Sequence, residues 1–495
     1  MMARTLWPRS SSVRVARSLA AHLILGLALG GLIYILAVTG TLSVFNREFQ
    51  RWEQPAAPEM AVISPEAAEK AATAVYESED PQTTHLYINF PRPDLPRTVI
   101  TTDTQAFFAT AEGDIAGREH FPWTQFLLDL HYYLHLPHIL GLTVVGALGA
   151  FLVALSISGL LAHPRIFRDA FTFRRNSGRT GLADLHNRLS VWTAPFHISN
   201  ALTGAILGLA SVLAFAIAAA SFGGDTTKVF SPVFGEDPPL NESPAGLAEI
   251  AAPIAHMYTE HPDLQPTFFI LHDPGTAGQH VSVISEHPNR LIFGDYYNFD
   301  ADGVYLGNTG LSDGTAGQQV AGSVYNVHFG NWGGLPIKIA YFLFGLSLCT
   351  IIASGLNIYF VRRRAQGRPA PRLEAGWAGI VWGTPATLAL TLLASVSGIA
   401  EGPALVAFFW LPLVAIVTAC LFMADAAKCT RSLRLAGAAL LAAGILLHTG
   451  LNAGSLDQAN LIPVSVCGLM IAALLAASAL RSGPRQQSMR ETPAE

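Results

Sequence analysis

Sixteen histidines stand in a chain that is 51% hydrophobic and only 13% charged. Six of them fall within 131–197: His131, His135, His138, His163, His186 and His197. The stretch reads HYYLHLPH, an apolar run, then AHPRIFRDAFTFRRNSGRTGLADLHNRLSVWTAPFH. A histidine in an apolar span is costly unless both ring nitrogens are satisfied, so repeated placement there points to function. Neutral imidazole is the usual axial ligand of haem iron. With His22 and His328, these residues therefore point to b-type haem. No C-x-x-C-H is present, so such a haem would be held without thioether links.

These side chains need membrane helices to carry them. The run 19–45 is apolar throughout and long enough to cross about 30 Å of hydrocarbon. It exceeds the roughly 7–15 residues of a signal-peptide core and shows no small-residue cleavage site, so it reads as an uncleaved first helix. Seven further spans follow at 139–161, 191–220, 335–360, 377–396, 403–423, 435–451 and 461–480. With eight spans, the arm 1–18, the loops 162–190, 361–376 and 424–434 and the tail 481–495 share one side. That side carries 21 of the 30 Lys and Arg residues. The two long opposite loops are richer in Asp and Glu. The positive-inside rule makes the basic side cytoplasmic and the chain reads as a multi-pass membrane protein. Both termini are then cytoplasmic.

The long outer loops, 46–130 and 222–334, repeat a pattern. One runs SPEAAEKAATAVYE, THLYINFP, RTVITT and QAFFATAEGDIAG; the other runs SPAGLAEIAAPIAHMY, PTFFILHDPG, HVSVIS and YYNFDADGVYLGN. Each predicts a helix opened by Ser-Pro, alternating strands and a hairpin-like turn at Glu112-Gly113 or Asp302-Gly303. The fold class expected is a polytopic α-helical membrane protein with two small α+β outer modules. Cys349, Cys420, Cys429 and Cys467 all lie in apolar spans or basic loops, so no disulfide framework supports the modules. His256, His261, His272, His280 and His287 read as scattered surface histidines. No nucleophile–base arrangement, nucleic-acid motif or dinucleotide fingerprint stands out.

The chain resembles the PepSY-associated transmembrane family of iron-regulated membrane proteins, in a long form with extra C-terminal helices. The matching residues are AHLILGLALGGLIYILAVTGTLSVF, FLLDLHYYLHLP, SGLLAHPRIFRDAFTFRRNSGRTGLADLHNRLSVWTAPFHISNALTG and NVHFGNWGGLPIKIAYFLFGL. They span about 19–364, and the outer repeats resemble PepSY modules. The family includes inner-membrane ferric-siderophore reductases carrying two b-type haems, and the resemblance implies that function here. It also includes members without known activity.

The match to the family pattern favours His22 as a ligand. His186, at the same depth on the third span, completes an inner pair. His131 and His328 enter from the outer side and make an outer pair, with Gly330, Gly333 and Gly334 giving a flat macrocycle room to approach. His197 lies eleven residues after His186, about 16 Å deeper on nearly the same face of a continuous helix. It is an alternative outer ligand in place of His131 or His328, part of a third site, or a packed, hydrogen-bonded residue near Pro195. His163, beside Arg165 and Arg168, suits a haem propionate or lipid phosphate, and His448 is structural.

Two bis-histidine haems leave no open iron position, which favours electron transfer over oxygen binding. The partners implied are the lipid bilayer, a ferric siderophore at one face and an electron donor that is quinol, a protein or a free reductant. A haem-free PepSY membrane protein that binds peptides or regulates a protease or transporter is the alternative.

Overall fold

Apolar length decides the architecture of one unit, and strand alternation decides that of the other. The computed structural model describes residues 11–78, 83–162, 179–235, 238–457 and 461–481. His163, Arg165 and Arg168 lie outside the described residues.

In chain order the helices are α1 (Ser12–Ser43), α2 (Asn46–Glu53), α3 (Pro65–Ser78), α4 (Pro122–Tyr133), α5 (His138–Ala162), α6 (Arg179–Trp192), α7 (Ala194–Ser221) and α8 (Thr227–Phe234). They continue as α9 (Ala251–Glu260), α10 (Ala316–Phe329), α11 (Gly334–Ala365), α12 (Pro371–Val396), α13 (Pro403–Met423), α14 (Ala426–Leu451) and α15 (Leu461–Arg481). Among the described residues eight helices are long and apolar enough to cross a bilayer: α1, α5, α7, α11, α12, α13, α14 and α15. They match the eight expected spans, with α1, α11 and α14 running further than hydropathy alone marks.

The first unit comprises residues 1–49, 122–209 and 335–495. Small residues set its helix spacing. A Cβ added to Gly146 on α5 would stand 2.8 Å from the Gly208 backbone of α7, so these helices approach almost backbone to backbone. Helix α12 anchors the last four spans: 61% of its apolar stretch is buried in protein, against 11–39% for the others. It meets α1 and α11 through Tyr34, Phe360, Trp377 and Val381. The Tyr34 hydroxyl donates to the Val381 carbonyl at 3.0 Å.

Two expected spans begin differently. His131 lies on the separate helix α4, not at the head of α5. Leu134 and His135 both take φ of 55°, and Pro137 follows, so one continuous helix is impossible there. The third passage is divided at Thr193 because Pro195 has no N–H to return to Val191. The flanking bonds nevertheless persist, from Thr193 N to the Leu189 carbonyl and from His197 N to the Thr193 carbonyl, both 3.0 Å.

The second unit comprises residues 50–121 and 210–334. Its strands are β1 (His85–Asn89), β2 (Thr98–Thr101), β3 (Ala106–Ala109), β4 (Ile115–Arg118), β5 (Gln265–His272), β6 (His280–Glu286), β7 (Asp295–Phe299) and β8 (Tyr305–Thr309). The two repeats form one antiparallel sheet, ordered β4-β3-β2-β1-β5-β6-β7-β8. They join through β1 and β5, with Ile88 opposite Phe269. One face buries Leu86, Ile88, Ile100, Phe269, Leu271, Val281 and Val283 against Ala68, Ala71 and Val75 of α3 and Ile254 and Met257 of α9. Gly113 and Gly303 turn the expected hairpins at φ of 78° and 77°, a region glycine enters without strain.

Ser64 opens α3 as expected, its Oγ accepting from Ala67 N at 3.2 Å. The second Ser-Pro does not open a helix. Ala245 N donates to the Gly275 carbonyl and Ala248 N to Gln279 Oε1, so this segment pairs with residues 275–279. Helix α9 starts later, at Ala251.

Candidate functional site

His22 lies on α1 and His186 on α6, 164 positions apart in the numbering, yet their rings meet. The centroids are 6.5 Å apart and the planes stand at 79°. Each ring is fixed by its Nδ1. That of His22 donates to the Leu155 carbonyl of α5 at 2.9 Å; that of His186 donates to the Ile351 carbonyl of α11 at 3.0 Å. Nδ1 is thereby committed in both rings, and Nε2 is the nitrogen left to act as a base or ligand. This backbone-carbonyl arrangement is the usual support of a metal-bound histidine, fixing tautomer and ring direction.

The spacing is chemically informative. A metal ion about 2.0–2.1 Å from each of two opposed imidazole nitrogens sets the ring centroids roughly 6 Å apart. The glycines opposite the rings also matter: a Cβ on Gly159 would stand 3.1 Å from His22 Cε1, and one on Gly355 would stand 3.2 Å from His186 Cε1. Four helices thus converge to seat two imidazoles, and two neutral imidazoles are a donor set that would hold haem iron.

His131 has the same kind of seat. Its Nδ1 donates to the Leu36 carbonyl of α1 at 3.1 Å, and a Cβ on Gly40 would come within 2.5 Å of its Cε1. Fourteen residues separate His22 from Leu36 on α1, about 21 Å at 1.5 Å per residue. The His22–His186 pair and the His131 seat therefore occupy different depths of one helical unit.

His197 is held differently. Its Nδ1 lies 3.2 Å from Thr193 Oγ1, and its Nε2 donates to the Phe344 carbonyl at 3.1 Å. Both ring nitrogens are engaged and the residue is buried, which is the packed, hydrogen-bonded arrangement.

His328 stands in the second unit, near the end of α10, with its ring edge-on to Phe329 at 5.2 Å. The capping turn explains the neighbouring glycines: Gly330, Gly333 and Gly334 take φ of 68°, 65° and 63°, so backbone geometry alone demands glycine there.

The sheet holds an arrangement that the sequence did not disclose. His85, His272 and His280 are cross-strand neighbours on β1, β5 and β6, and the last two rings stack at 4.4 Å. They form a row, whereas sequence alone reads His272 and His280 as scattered surface positions. The signal was that all three stand at strand ends, and only the β1–β5 pairing aligns them. Among the described residues, no three His, Cys, Asp or Glu side chains converge as ligands of one metal ion.

The family model described as the PepSY-associated TM region matches residues 19–362. The chain belongs to this family. All five candidate histidines of this PepSY-associated protein fall inside the matched stretch, and helices α12 to α15 follow it. An uncharacterized protein of Pseudomonas aeruginosa is 26% identical over 298 residues, covering 57% of this PepSY-associated chain and 75% of the relative.

Proposed function

We propose that this membrane protein holds two b-type haems and carries electrons across the bacterial inner membrane, reducing iron bound by a siderophore. The observation that carries the reading is the His22–His186 pair, 6.5 Å apart between centroids, with both Nδ1 atoms committed to backbone carbonyls.

Bound haem iron would supply a one-electron carrier at each depth. The chain's own residues hold and orient it. His22 and His186 would hold the inner haem and His131 an outer one; sequence alone pairs His328 with His131. Leu155, Ile351 and Leu36 fix the ring tautomers through their carbonyls, and the surrounding apolar helices exclude water. His197 orients its surroundings without ligating iron.

With the basic side cytoplasmic, the donor, whether quinol, protein or free reductant, would deliver electrons to the opposite side. There each electron converts one chelated Fe(III) to Fe(II), which the hard oxygen ligands of a siderophore hold less strongly.

Proteoliposomes test this directly, with a reductant sealed inside and a ferric siderophore plus a coloured Fe(II) chelator outside. Fe(II) should form with the parent protein and fall to the rate of empty vesicles in His22→Ala and His186→Ala. A parent rate equal to that of empty vesicles contradicts the reading.

A further inference from the structure

Three histidines rest on the same local device, built from a carbonyl at position i, a hydroxyl at i+3 and a glycine at i+4. The copies are Leu36-Thr39-Gly40 in α1, Leu155-Ser158-Gly159 in α5 and Ile351-Ser354-Gly355 in α11. In each, the carbonyl accepts from a histidine Nδ1, at 3.1, 2.9 and 3.0 Å. The hydroxyl oxygen lies 3.4, 3.4 and 3.2 Å from that same nitrogen. It also donates to the same carbonyl, at 3.2, 3.0 and 3.1 Å. The absent Cβ leaves room for the ring edge.

A fourth copy, Asn200-Thr203-Gly204, lies on α7, where Thr203 Oγ1 is 3.1 Å from the Asn200 carbonyl and 2.9 Å from that of Ser199. Ala394-Ser397-Gly398 at the end of α12 repeats the pattern, with Ser397 Oγ 3.1 Å from the Ala394 carbonyl. Gly398, however, closes the helix at φ of 68° and a Cβ there would meet nothing within 4 Å, so it seats no ring. Thr449-Gly450 on α14 is different: its hydroxyl lies 2.8 Å from the Ile445 carbonyl and 2.9 Å from Ser465 Oγ of α15, and a Cβ on Gly450 would meet nothing within 4 Å. The Phe344 carbonyl used by His197 is followed by Ser347 and then Leu348, so that residue has no glycine seat.

We propose that these hydroxyl–glycine pairs are positioning residues for axial imidazoles, and that Thr203-Gly204 seats a fourth one. The inference rests on the haem reading above. The glycine sets how deeply the ring enters. The hydroxyl competes with Nδ1–H for one carbonyl oxygen, and so limits how much electron density the carbonyl drives into the imidazole. Four seats match two bis-histidine haems, and His197 falls outside the set.

The test compares haem content and potentiometric titrations of the full chain. Thr39→Val, Ser158→Ala, Ser354→Ala and Thr203→Val should each keep both haems and lower the midpoint of one, because the carbonyl then accepts Nδ1–H more strongly and favours ferric iron. Ser158→Ala and Ser354→Ala should move one wave, and Thr39→Val and Thr203→Val the other. Gly40→Ala, Gly159→Ala, Gly355→Ala and Gly204→Ala should each lower haem content toward half. Gly437→Ala, where a Cβ finds ordinary contact at 3.4 Å, serves as the folding control and should match the parent. Parental content and unchanged waves in the hydroxyl and glycine variants overturn the seats while leaving the haem reading intact. Parental behaviour of Thr203→Val and Gly204→Ala alone overturns the fourth seat. A parent protein without haem overturns the seats together with the reading beneath them.

Discussion

His22 Nδ1 and the Leu155 carbonyl are 2.9 Å apart, a bond from α1 to α5 across 133 positions of chain. It settles which nitrogen of His22 remains for chemistry. His186 repeats it on α11. Two rings independently turned in this way, with centroids 6.5 Å apart, support a shared ligand more strongly than either histidine would alone.

His22→Ala and His186→Ala should each remove about one haem equivalent and leave the other spectroscopically intact, since iron deprived of one axial imidazole is poorly retained. Haem extraction beside the parent protein checks this. Full content with an unchanged spectrum in both variants would break the pair.

His197→Ala should retain both haems and shift only a midpoint, because both its ring nitrogens already have protein partners. Changes next to a metal ligand commonly cost about 10–100-fold in affinity or activity, and deleting a ligand costs more. His131→Ala and His328→Ala should lose the outer haem. If His197→Ala loses it and His131→Ala does not, the assignment reverses.

The sequence carried the membrane plan well, because twenty-odd consecutive apolar residues have few alternatives to a helix. The ends were less legible. Nothing in HYYLHLP announces that Leu134 and His135 turn left-handed and detach α4 from α5. The second Ser-Pro carried a helix signal that pairing with residues 275–279 overrode. His22 and His186 were legible as candidates, whereas their seats were not. A carbonyl carries no side-chain signature, and Ser158-Gly159 gains meaning only when His22 lies against it.

Orientation is tested by single cysteines in a background with the four native cysteines replaced by alanine. An impermeant maleimide should label Asp302→Cys on intact spheroplasts and Gln366→Cys only after lysis. Both positions are exposed. Labelling of Gln366→Cys on intact spheroplasts would invert the direction of electron flow proposed here.

Burial raises the Glu119 carboxyl to about 7 from its ordinary 4.5, against the opposing pull of Arg97. The folded chain therefore keeps a proton that the unfolded chain releases. The resulting stability is full below about pH 4.5 and is lost as pH rises through about 7. Hydrogen exchange in β3 and β4 should accelerate over that window in the parent, after correction for intrinsic rates. In Glu119→Gln it should be flat. An equal slope in both proteins would assign the titration elsewhere.

A reduced-minus-oxidised spectrum of the purified full chain, recorded with its haem-to-protein ratio, decides whether the chain holds haem. Bis-histidine b haem predicts a sharp α-band on reduction and about two haems per chain. A chain that purifies folded with no α-band, and takes up no haem when supplied with it, would contradict the account.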